Sequence, residues 1–319
     1  MTNQLKRYVL TITANPALDV FADVEELVPG TLHRTPPFRK NPGGKGINVA
    51  KALNAFGSPV LASGFLGGSN GRWIEKQLTK QGIATRFVPI SSETRMNVKI
   101  VNTKGELTEF NSKSPELTEE DWQQFDKLLE QIVKENSWVA LCGKLPEDCS
   151  VNWYEKVIQH SRKLGVSTAV DTSGEALKRA VQARPDFIKP NLEELQELTG
   201  ENLSTTEEVI QAARKLTETG INTVAVTLGA KGLIVARQDE VWQVTVPKVD
   251  VKSPVGAGDS VVAGFLHGFY HQHAFTDTIR FAAACGVAAV MKEGTAHPEL
   301  MDIEPLIPKI HIENRRDPS

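Results

Sequence analysis

The sequence has few cysteines and little net charge. Only three of its 319 residues are cysteine, and Cys142, Cys149 and Cys285 form no CxxC pair. Such sparse cysteines fit a reducing compartment and give no indication of a metal site. The formal net charge is −3, which removes the bulk electrostatic argument for binding nucleic acid or an anionic membrane.

Long apolar runs are also lacking. The longest stretch of small apolar residues, FAAACGVAAVM at 281–291, is shorter than the roughly 20 residues that a membrane-spanning helix needs, and it predicts a buried helix. The first residues, MTNQLKRYVLTITANPA, interrupt their apolar run with threonines and do not resemble a signal peptide. We therefore expect a soluble, cytoplasmic protein with no membrane or nucleic-acid partner.

Strand-like apolar segments alternate with segments of helical period along the chain. The amphipathic stretches 47–57 and 207–220 predict helices, and the spacing of Ser204 and Glu207 predicts a capping box at the second one. Such alternation favours an α/β fold with a mostly parallel central sheet and helices on both faces. The predicted strands are 8–14, 59–65, 138–143, 167–171, 186–190 and 223–229.

Two segments interrupt this alternation. Residues 19–41 are polar, strand-like and rich in proline, and residues 94–112 predict a hairpin that turns at TKGE. We expect these two segments to form a small separate β-layer over the main sheet. The remaining residues, 1–18, 42–93 and 113–319, then form the main α/β domain.

The segment SPVGAGDS, at 253–260, precedes a stretch with helical period. Its small residues therefore lie at a predicted helix start, where free backbone N–H groups and the helix dipole favour an anion. Asp259 would lie in the first turn. There it could act as an N-terminal cap, or as a carboxylate that receives a hydroxyl proton in phosphoryl transfer. This segment alone leaves both interpretations open.

A second glycine cluster, NPGGKGINVA at 41–50, also opens a predicted helix. It lacks the GK[ST] ending of a Walker A loop. Gly43 and Gly44 would bring the backbone close to a ligand, and Lys45 and Asn48 could donate hydrogen bonds to a sugar or phosphate. The alternative is a tight turn with a solvated lysine.

The segment TRMNVK predicts a strand that carries Arg95, Asn97 and Lys99 on one face. Two cations and an amide on one face suit an anionic, oxygen-rich ligand. A half-exposed strand with a solvated basic face fits this stretch equally well.

Two further segments have weaker signals. In KPNLEEL, Asn191 and Glu194 are three residues apart, so in a first helical turn they could hold magnesium through water, or simply form a polar helix start. The segment TLGAKG, at 227–232, leaves a buried strand at a glycine turn where a nucleotide could bind.

Together these motifs resemble the PfkB carbohydrate kinase family, and the likeness covers nearly the whole chain. The resemblance implies the ribokinase-like fold with a β-sheet lid, ATP as donor and Mg²⁺ as activator. The matching segments, in chain order, are NPALD, GGKGINVA, TRMNVK, GKLP, KPNLEEL, TLGAKG and VGAGDS.

The resemblance also implies roles for individual residues. It makes Asp259 the general base, and it makes Gly256, Ala257 and Gly258 the anion hole. Asn191 and Glu194 would lie near the metal. The implied nucleotide-binding residues are Lys189, Asn191, Thr227, Gly229, Gly232 and Gly258. The implied acceptor-binding residues are Asp19, Gly43, Gly44, Lys45, Asn48, Arg95, Asn97, Lys99 and Lys144.

Within the family, GGKGINVAK and TRMNVKI…GELTEFN look most like 1-phosphofructokinases and tagatose-6-phosphate kinases. The implied reaction is ATP-dependent phosphorylation of fructose 1-phosphate to fructose 1,6-bisphosphate. The second acceptor to consider is tagatose 6-phosphate, giving tagatose 1,6-bisphosphate. A kinase for an uncharged sugar or nucleoside and a non-catalytic phosphosugar sensor also stay open, although the intact GAGD segment weighs against the sensor.

Two positions depart from the family pattern. Cys142-Gly143-Lys144 replaces a usual Ser-Gly-Ser, so Lys144 adds a cation that could reach a phosphate. Pro254 replaces a usual threonine, which removes one N–H donor before the glycine segment.

The open strand edges of the lid could also pair two chains into a homodimer.

Overall fold

Two β-sheets of different size organise the chain in this computed structural model, which describes residues 7–292 and 297–315. The larger sheet has ten strands in the order β14-β13-β12-β11-β10-β9-β8-β1-β4-β5, and all neighbours from β11 to β5 are parallel. Its strands are β1 (Tyr8–Thr13), β4 (Val60–Gly67), β5 (Ala84–Ile90), β8 (Asn136–Cys142), β9 (Ser167–Asp171), β10 (Phe187–Ile188), β11 (Thr223–Thr227), β12 (Leu233–Arg237), β13 (Glu240–Thr245) and β14 (His311–Asn314).

Helices cover both faces of this sheet, as its central strands require. Along β1, Val9 packs into one apolar core while Leu10 and Ile12 pack into the other, because successive side chains of a strand point to opposite faces. The helices are α1 (Lys45–Ala55), α2 (Gly68–Lys80), α3 (Glu119–Ile132), α4 (Trp153–Lys163), α5 (Gly174–Gln182), α6 (Leu192–Thr199), α7 (Thr206–Glu218), α8 (Ala257–Tyr270), α9 (Phe275–Val290) and α10 (Leu300–Ile303). The predicted α/β architecture is confirmed.

The first core packs under α1, α2, α8 and α9, and the second under α3 to α7. The predicted buried helix at 281–291 corresponds to the second part of α9, which ends at Val290, so Met291 lies beyond the helix and is exposed. All six predicted strands are present, although the segment 186–190 contributes only the two residues of β10.

The smaller sheet has four strands in the order β3-β2-β6-β7. Strands β2 and β6 are parallel, and the other two pairs are antiparallel. The predicted hairpin at 94–112 forms, with its turn at 103–106. The strands are β2 (Ala17–Val24), β3 (Arg39–Gly43), β6 (Met96–Asn102) and β7 (Leu107–Asn111).

The predicted capping box of Ser204 and Glu207 is wrong by one residue. The N-cap of α7 is Thr205, whose hydroxyl accepts from the backbone N–H of Glu208, and the Glu208 carboxylate accepts from Thr205 in return. The same carboxylate oxygen accepts from the N–H of Ser204. Three successive hydroxyl residues followed by two glutamates allow a capping box to begin at more than one residue. In the structure, one carboxylate oxygen of Glu208 accepts from the N–H groups of both Ser204 and Thr205.

The residues predicted for the main domain include 1–6, 293–296 and 316–319, which lie outside the described residues. Within the described ranges, no helix is long and apolar enough to cross a membrane.

Candidate active site

The glycine segment before α8 has the geometry of an anion-binding helix start. Gly256 is the N-cap, with φ of 82°, a left-handed conformation that glycine adopts readily, and no side chain caps the helix. The N–H groups of Gly256 and Gly258 donate to no other backbone group among the described residues, while that of Ala257 lies 3.5 Å from the Pro254 carbonyl. Free N–H groups at a helix N-terminus attract anions.

Asp259 is the third residue of α8 and is not its cap, because the N-cap is Gly256. The capping interpretation is therefore excluded. The carboxylate is buried, and it accepts a hydrogen bond of 2.9 Å from Nδ2 of Asn48 in α1. Burial, and then the nearby charge of Asp171, raise the pKa of Asp259. A carboxylate with a raised pKa is a better proton acceptor.

Asp171, at the carboxyl end of β9, forms ion pairs with two lysines that were predicted to belong to different sites. Its Oδ1 lies 3.2 Å from Nζ of Lys45 and 3.3 Å from Nζ of Lys189. Asp171, then Asp259 and Glu194, raise the pKa of Lys45 despite its burial. The acceptor-site lysine and the nucleotide-site lysine therefore share one buried counter-charge.

Lys189 also lies directly beside the glycine segment. A Cβ added to Gly258 would be 3.4 Å from the Lys189 ammonium. This ammonium and the free N–H groups of the helix start therefore face the same small volume. The ammonium and the N–H groups are hydrogen-bond donors that are already in position, so they could stabilise the negative charge of a phosphoryl group there.

A second polar cluster surrounds Asp19 of β2. Its carboxylate accepts from Nδ2 of Asn97 at 2.9 Å and forms an ion pair of 3.2 Å with Lys99. Gly43 packs directly on it, because a Cβ at that position would lie 2.6 Å from Cγ of Asp19. Gly44, with φ of 117°, is the N-cap of α1 and leads to Lys45.

The polar face of β6 is its buried face. Asn97 and Lys99 are buried, whereas Met96, which precedes them, is exposed. The solvated interpretation of this face is therefore excluded for these two residues. Lys99 lies 3.6 Å from Glu109 of β7 as well as close to Asp19.

Arg95 and Lys144 differ in how they are held. The Arg95 guanidinium donates to the Asn15 carbonyl at 3.2 Å and contacts Oδ1 of Asn97 at 3.4 Å, so it is fixed beside the Asp19 cluster. Burial lowers the pKa of Arg95. Lys144 is exposed, although the preceding Gly143 lies against Lys45, with a Cβ there 3.6 Å from Cβ of Lys45.

Asn191 and Glu194 form a reciprocal capping box at α6. Oδ1 of Asn191 accepts from the Glu194 N–H at 2.8 Å, and Oε2 of Glu194 accepts from the Asn191 N–H at 2.9 Å. The predicted polar helix start is present. No three His, Cys, Asp or Glu side chains of the described residues form a metal-binding group.

The remaining nucleotide-site residues separate into two environments. Asn191, Thr227 and Gly229 line one cavity of about 400 Å³, a volume within the range of small-molecule sites. Gly232 is instead packed against the Val244 carbonyl of β13, where a side chain would collide, and its φ is 93°. Close packing against β13 therefore explains why residue 232 is a glycine.

Two buried charged residues were missed by the sequence reasoning. Asp171 ends a predicted buried strand, and the carboxyl ends of parallel strands are the usual edge for ligands in such sheets, so its position was a usable signal. Lys51 interrupts the apolar face of α1 and is only 4% exposed. A lysine inside an apolar helical stripe is seldom buried without a reason.

An α/β sheet with a free helix start beside a buried carboxylate has the groups that phosphoryl transfer uses. Comparison with known proteins agrees: residues 10–301 match the pfkB family of carbohydrate kinases. The 1-phosphofructokinase of Bacillus subtilis is 34% identical over 306 residues, covering 95% of this chain and 99% of that protein.

Two other proteins extend the comparison. The tagatose-6-phosphate kinase of Staphylococcus epidermidis is 30% identical over 309 residues, covering 95% of this chain and 99% of that protein. The crystal structure of phosphofructokinase-2 from Escherichia coli in complex with substrates and products has a TM-score of 0.90 at 27% identity, covering 94% of this chain and 98% of that one. The chain belongs to the pfkB family of carbohydrate kinases, and its membership in a kinase family implies ATP as the phosphoryl donor.

Proposed function

We propose that the protein transfers the γ-phosphoryl group of ATP to the free primary hydroxyl of a ketohexose monophosphate. Fructose 1-phosphate is the main acceptor and fructose 1,6-bisphosphate the product. The observation that carries the proposal is the contact between Asp259 and Asn48. It brings the carboxylate of the phosphate-binding helix start to the glycine segment that opens α1.

The acceptor phosphate binds to the basic residues around the Asp19 cluster. Lys45, Arg95 and Lys99 supply the positive charge, and exposed Lys144 adds to it. Asp19, Asn97 and Asn48 take the sugar hydroxyls, while Gly43 and Gly44 let the backbone approach. Lys99 already has Asp19 and Glu109 as partners, so a phosphate dianion replaces part of an existing ion pair and does not bind an isolated lysine. The names of the relatives, a 1-phosphofructokinase and a tagatose-6-phosphate kinase, support a phosphorylated sugar.

Asp259 accepts the proton of the attacking hydroxyl. Its burial raises its pKa, so it is a stronger base than an exposed aspartate. The N–H groups of Gly256, Ala257 and Gly258, with the Lys189 ammonium, stabilise the charge on the transferring phosphoryl group. The small sheet closes over the acceptor as a lid and excludes water, which would otherwise compete as an acceptor.

The nucleotide occupies the cavity lined by Asn191, Thr227 and Gly229, with its phosphates directed toward Lys189. Asn191 and Glu194 would hold Mg²⁺ through water. One oxygen of each side chain is engaged in the capping box, and the other oxygen of the Glu194 carboxylate has no partner among the described residues. This donor set fits a hydrated Mg²⁺, which commonly binds by one or two carboxylates together with substrate phosphates. The ion would neutralise the charge of the nucleotide phosphates.

A coupled ADP-release assay with fructose 1-phosphate, tagatose 6-phosphate, fructose 6-phosphate and fructose tests the proposal. We expect the highest kcat/KM with fructose 1-phosphate, and a KM for it that rises at least tenfold in Arg95→Ala, since charge-assisted hydrogen bonds to phosphate are lost. Arg72→Ala, an exposed change on α2, is the matched control.

Each different result of this assay identifies a different function. A higher kcat/KM with tagatose 6-phosphate supports that sugar as the acceptor. Binding of a sugar phosphate without ADP release identifies a sensor. Turnover of fructose that is unaffected by Arg95→Ala identifies a kinase for uncharged sugars.

We also propose that two copies of the chain pair through the small sheet. Its outward face carries exposed apolar side chains, including Phe110, which is 57% exposed, and Met96. Strand β7 is an edge strand whose residues are all exposed. Open edges and apolar patches of this kind favour strand pairing between chains.

A further inference from the structure

Lys51 is a buried lysine of α1 that takes no part in the mechanism proposed above. Its side chain points back toward the start of the helix, as helical side chains do, and its Nζ donates to the Pro42 carbonyl at 3.1 Å. Pro42 belongs to β3 and pairs with Leu18 of β2, next to Asp19. Lys51 therefore connects α1 to β3, the strand of the small sheet that ends at Gly43.

Charged groups from several elements face this ammonium. Burial lowers the pKa of Lys51 to about 8, while Asp19 of β2 and Asp259 of α8 oppose that change and Lys99 of β6 adds to it. His297 also lies near, and burial, together with Lys51, lowers its pKa to about 4. At neutral pH, Lys51 is thus a cation that interacts with Asp19 and Asp259, and His297 is uncharged.

Burying this cation costs folding free energy. Only one of its three N–H groups has a protein acceptor among the described residues, the Pro42 carbonyl. A desolvated ammonium with so few partners is unfavourable, and a methionine of similar shape would fill the same space without that cost. A residue that lowers stability at a functional site is commonly retained for function.

We propose that Lys51 is a positioning residue, which holds residues 42–44, where β3 leads into α1, against Asp19 and supplies positive charge near Asp19 and the base Asp259. This role rests on the proposed function, because Asp19 matters only if it binds the acceptor. It makes the geometry of the acceptor site depend on the ionisation of a residue that no substrate touches.

Activity and stability should respond to pH in opposite directions. Turnover at low acceptor concentration should fall as pH rises through about 8, because Lys51 then loses its charge. The lysine is protonated in both folded and unfolded chains below that pH. Between about 8 and the ordinary lysine pKa near 10.4, the unfolded chain binds more protons, so the contribution of Lys51 to stability improves as pH rises.

The first test compares Lys51→Met and Lys51→Arg with the wild type. Lys127→Met, an exposed lysine change on α3, is the control. KM for fructose 1-phosphate is measured between about pH 6.5 and 9.5, the window around the pKa of Lys51 and the ordinary lysine pKa. We expect the wild-type KM to rise above about pH 8. Lys51→Arg should show no such rise, since arginine stays protonated. Lys51→Met should have a KM about tenfold above that of the wild type below about pH 8, the usual worth of a charge-assisted hydrogen bond. This difference should narrow above that pH, where Lys51 of the wild type is uncharged, and the KM for ATP should be unchanged.

The second test does not depend on turnover. NMR of ¹³Cε-lysine-labelled protein should show one lysine that titrates near pH 8 and is missing in Lys51→Met. Thermal unfolding at pH 7 should show that Lys51→Met is no less stable than the wild type. Hydrogen exchange at the N–H groups of Gly43 and Gly44 should be faster in this variant.

The outcomes separate the two proposals. If no sugar phosphate is turned over but the lysine titration and the faster exchange are seen, the proposed function fails and the positioning of residues 42–44 by Lys51 stands. If Lys51→Met unfolds at a lower temperature and its acceptor KM matches the wild type at every pH, Lys51 is structural and the inference is overturned.

Discussion

Replacing Asp171 by asparagine removes a buried negative charge that forms ion pairs with both Lys45 and Lys189. Asp171 and Lys189 are 0% and 4% exposed, whereas Lys45 is 39% exposed and can recover hydration. Removing one partner of a buried ion pair typically costs about 3–5 kcal/mol, and we expect the lower value because Lys45 is screened by solvent. With about 2.1 cal/mol/K of unfolding entropy per residue, a chain of 319 residues should lose about 4–5 °C of Tm.

Calorimetry at pH 7 measures this change, with Asp148→Asn, an exposed aspartate, as the control. Burial raises the pKa of Asp171, but Lys189 and Lys45 outweigh it and lower the pKa below its ordinary value. The stability from this carboxylate is therefore present above the ordinary aspartate pKa and is lost as pH falls through the lowered one. The Tm difference should narrow below about pH 4. An unchanged Tm at pH 7 would refute the shared-charge interpretation.

Two further predictions concern the lid and the acceptor. Gly43→Ala should raise the KM for the sugar phosphate tenfold or more while leaving the KM for ATP unchanged. The new Cβ would lie 2.6 Å from Cγ of Asp19, and small displacements at a site cost about tenfold to a hundredfold in activity. An unchanged acceptor KM in steady-state kinetics would show that Asp19 does not bind the sugar. Phe110→Asp should convert a dimer to a monomer, as measured by light scattering, because the change puts a charge on the exposed apolar face of the small sheet. A wild-type protein that is already monomeric would contradict the proposed pairing.

The fold was largely predictable because its signals are local. Each central strand is a short apolar run, and each long helix has an apolar stripe, so alternation along the chain indicates the layers. The least accurate strand prediction, 186–190, follows Pro185 and ends at Pro190. Prolines lack an N–H for the ladder and restrict the preceding residue, and β10 is accordingly only Phe187–Ile188.

The site was less predictable because its decisive contacts join distant residues. The sequence could not choose between cap and base for Asp259, since both place it in a first helical turn. The choice depends on the backbone of Gly256, which makes that glycine the N-cap. Likewise, Lys45 and Asp171 are 126 residues apart, and no local pattern indicates that they pair.

The central claim is that Asp259 removes the proton from the acceptor hydroxyl, and Asp259→Asn tests it most directly. Two quantities are compared with the wild type: kcat with fructose 1-phosphate and the Kd for ATP measured by calorimetry. We expect kcat to fall by at least about 10² with ATP affinity retained, because a general base contributes that much and the nucleotide does not need the proton acceptor. A fall in kcat of only a few-fold would contradict the assignment of Asp259 as the base.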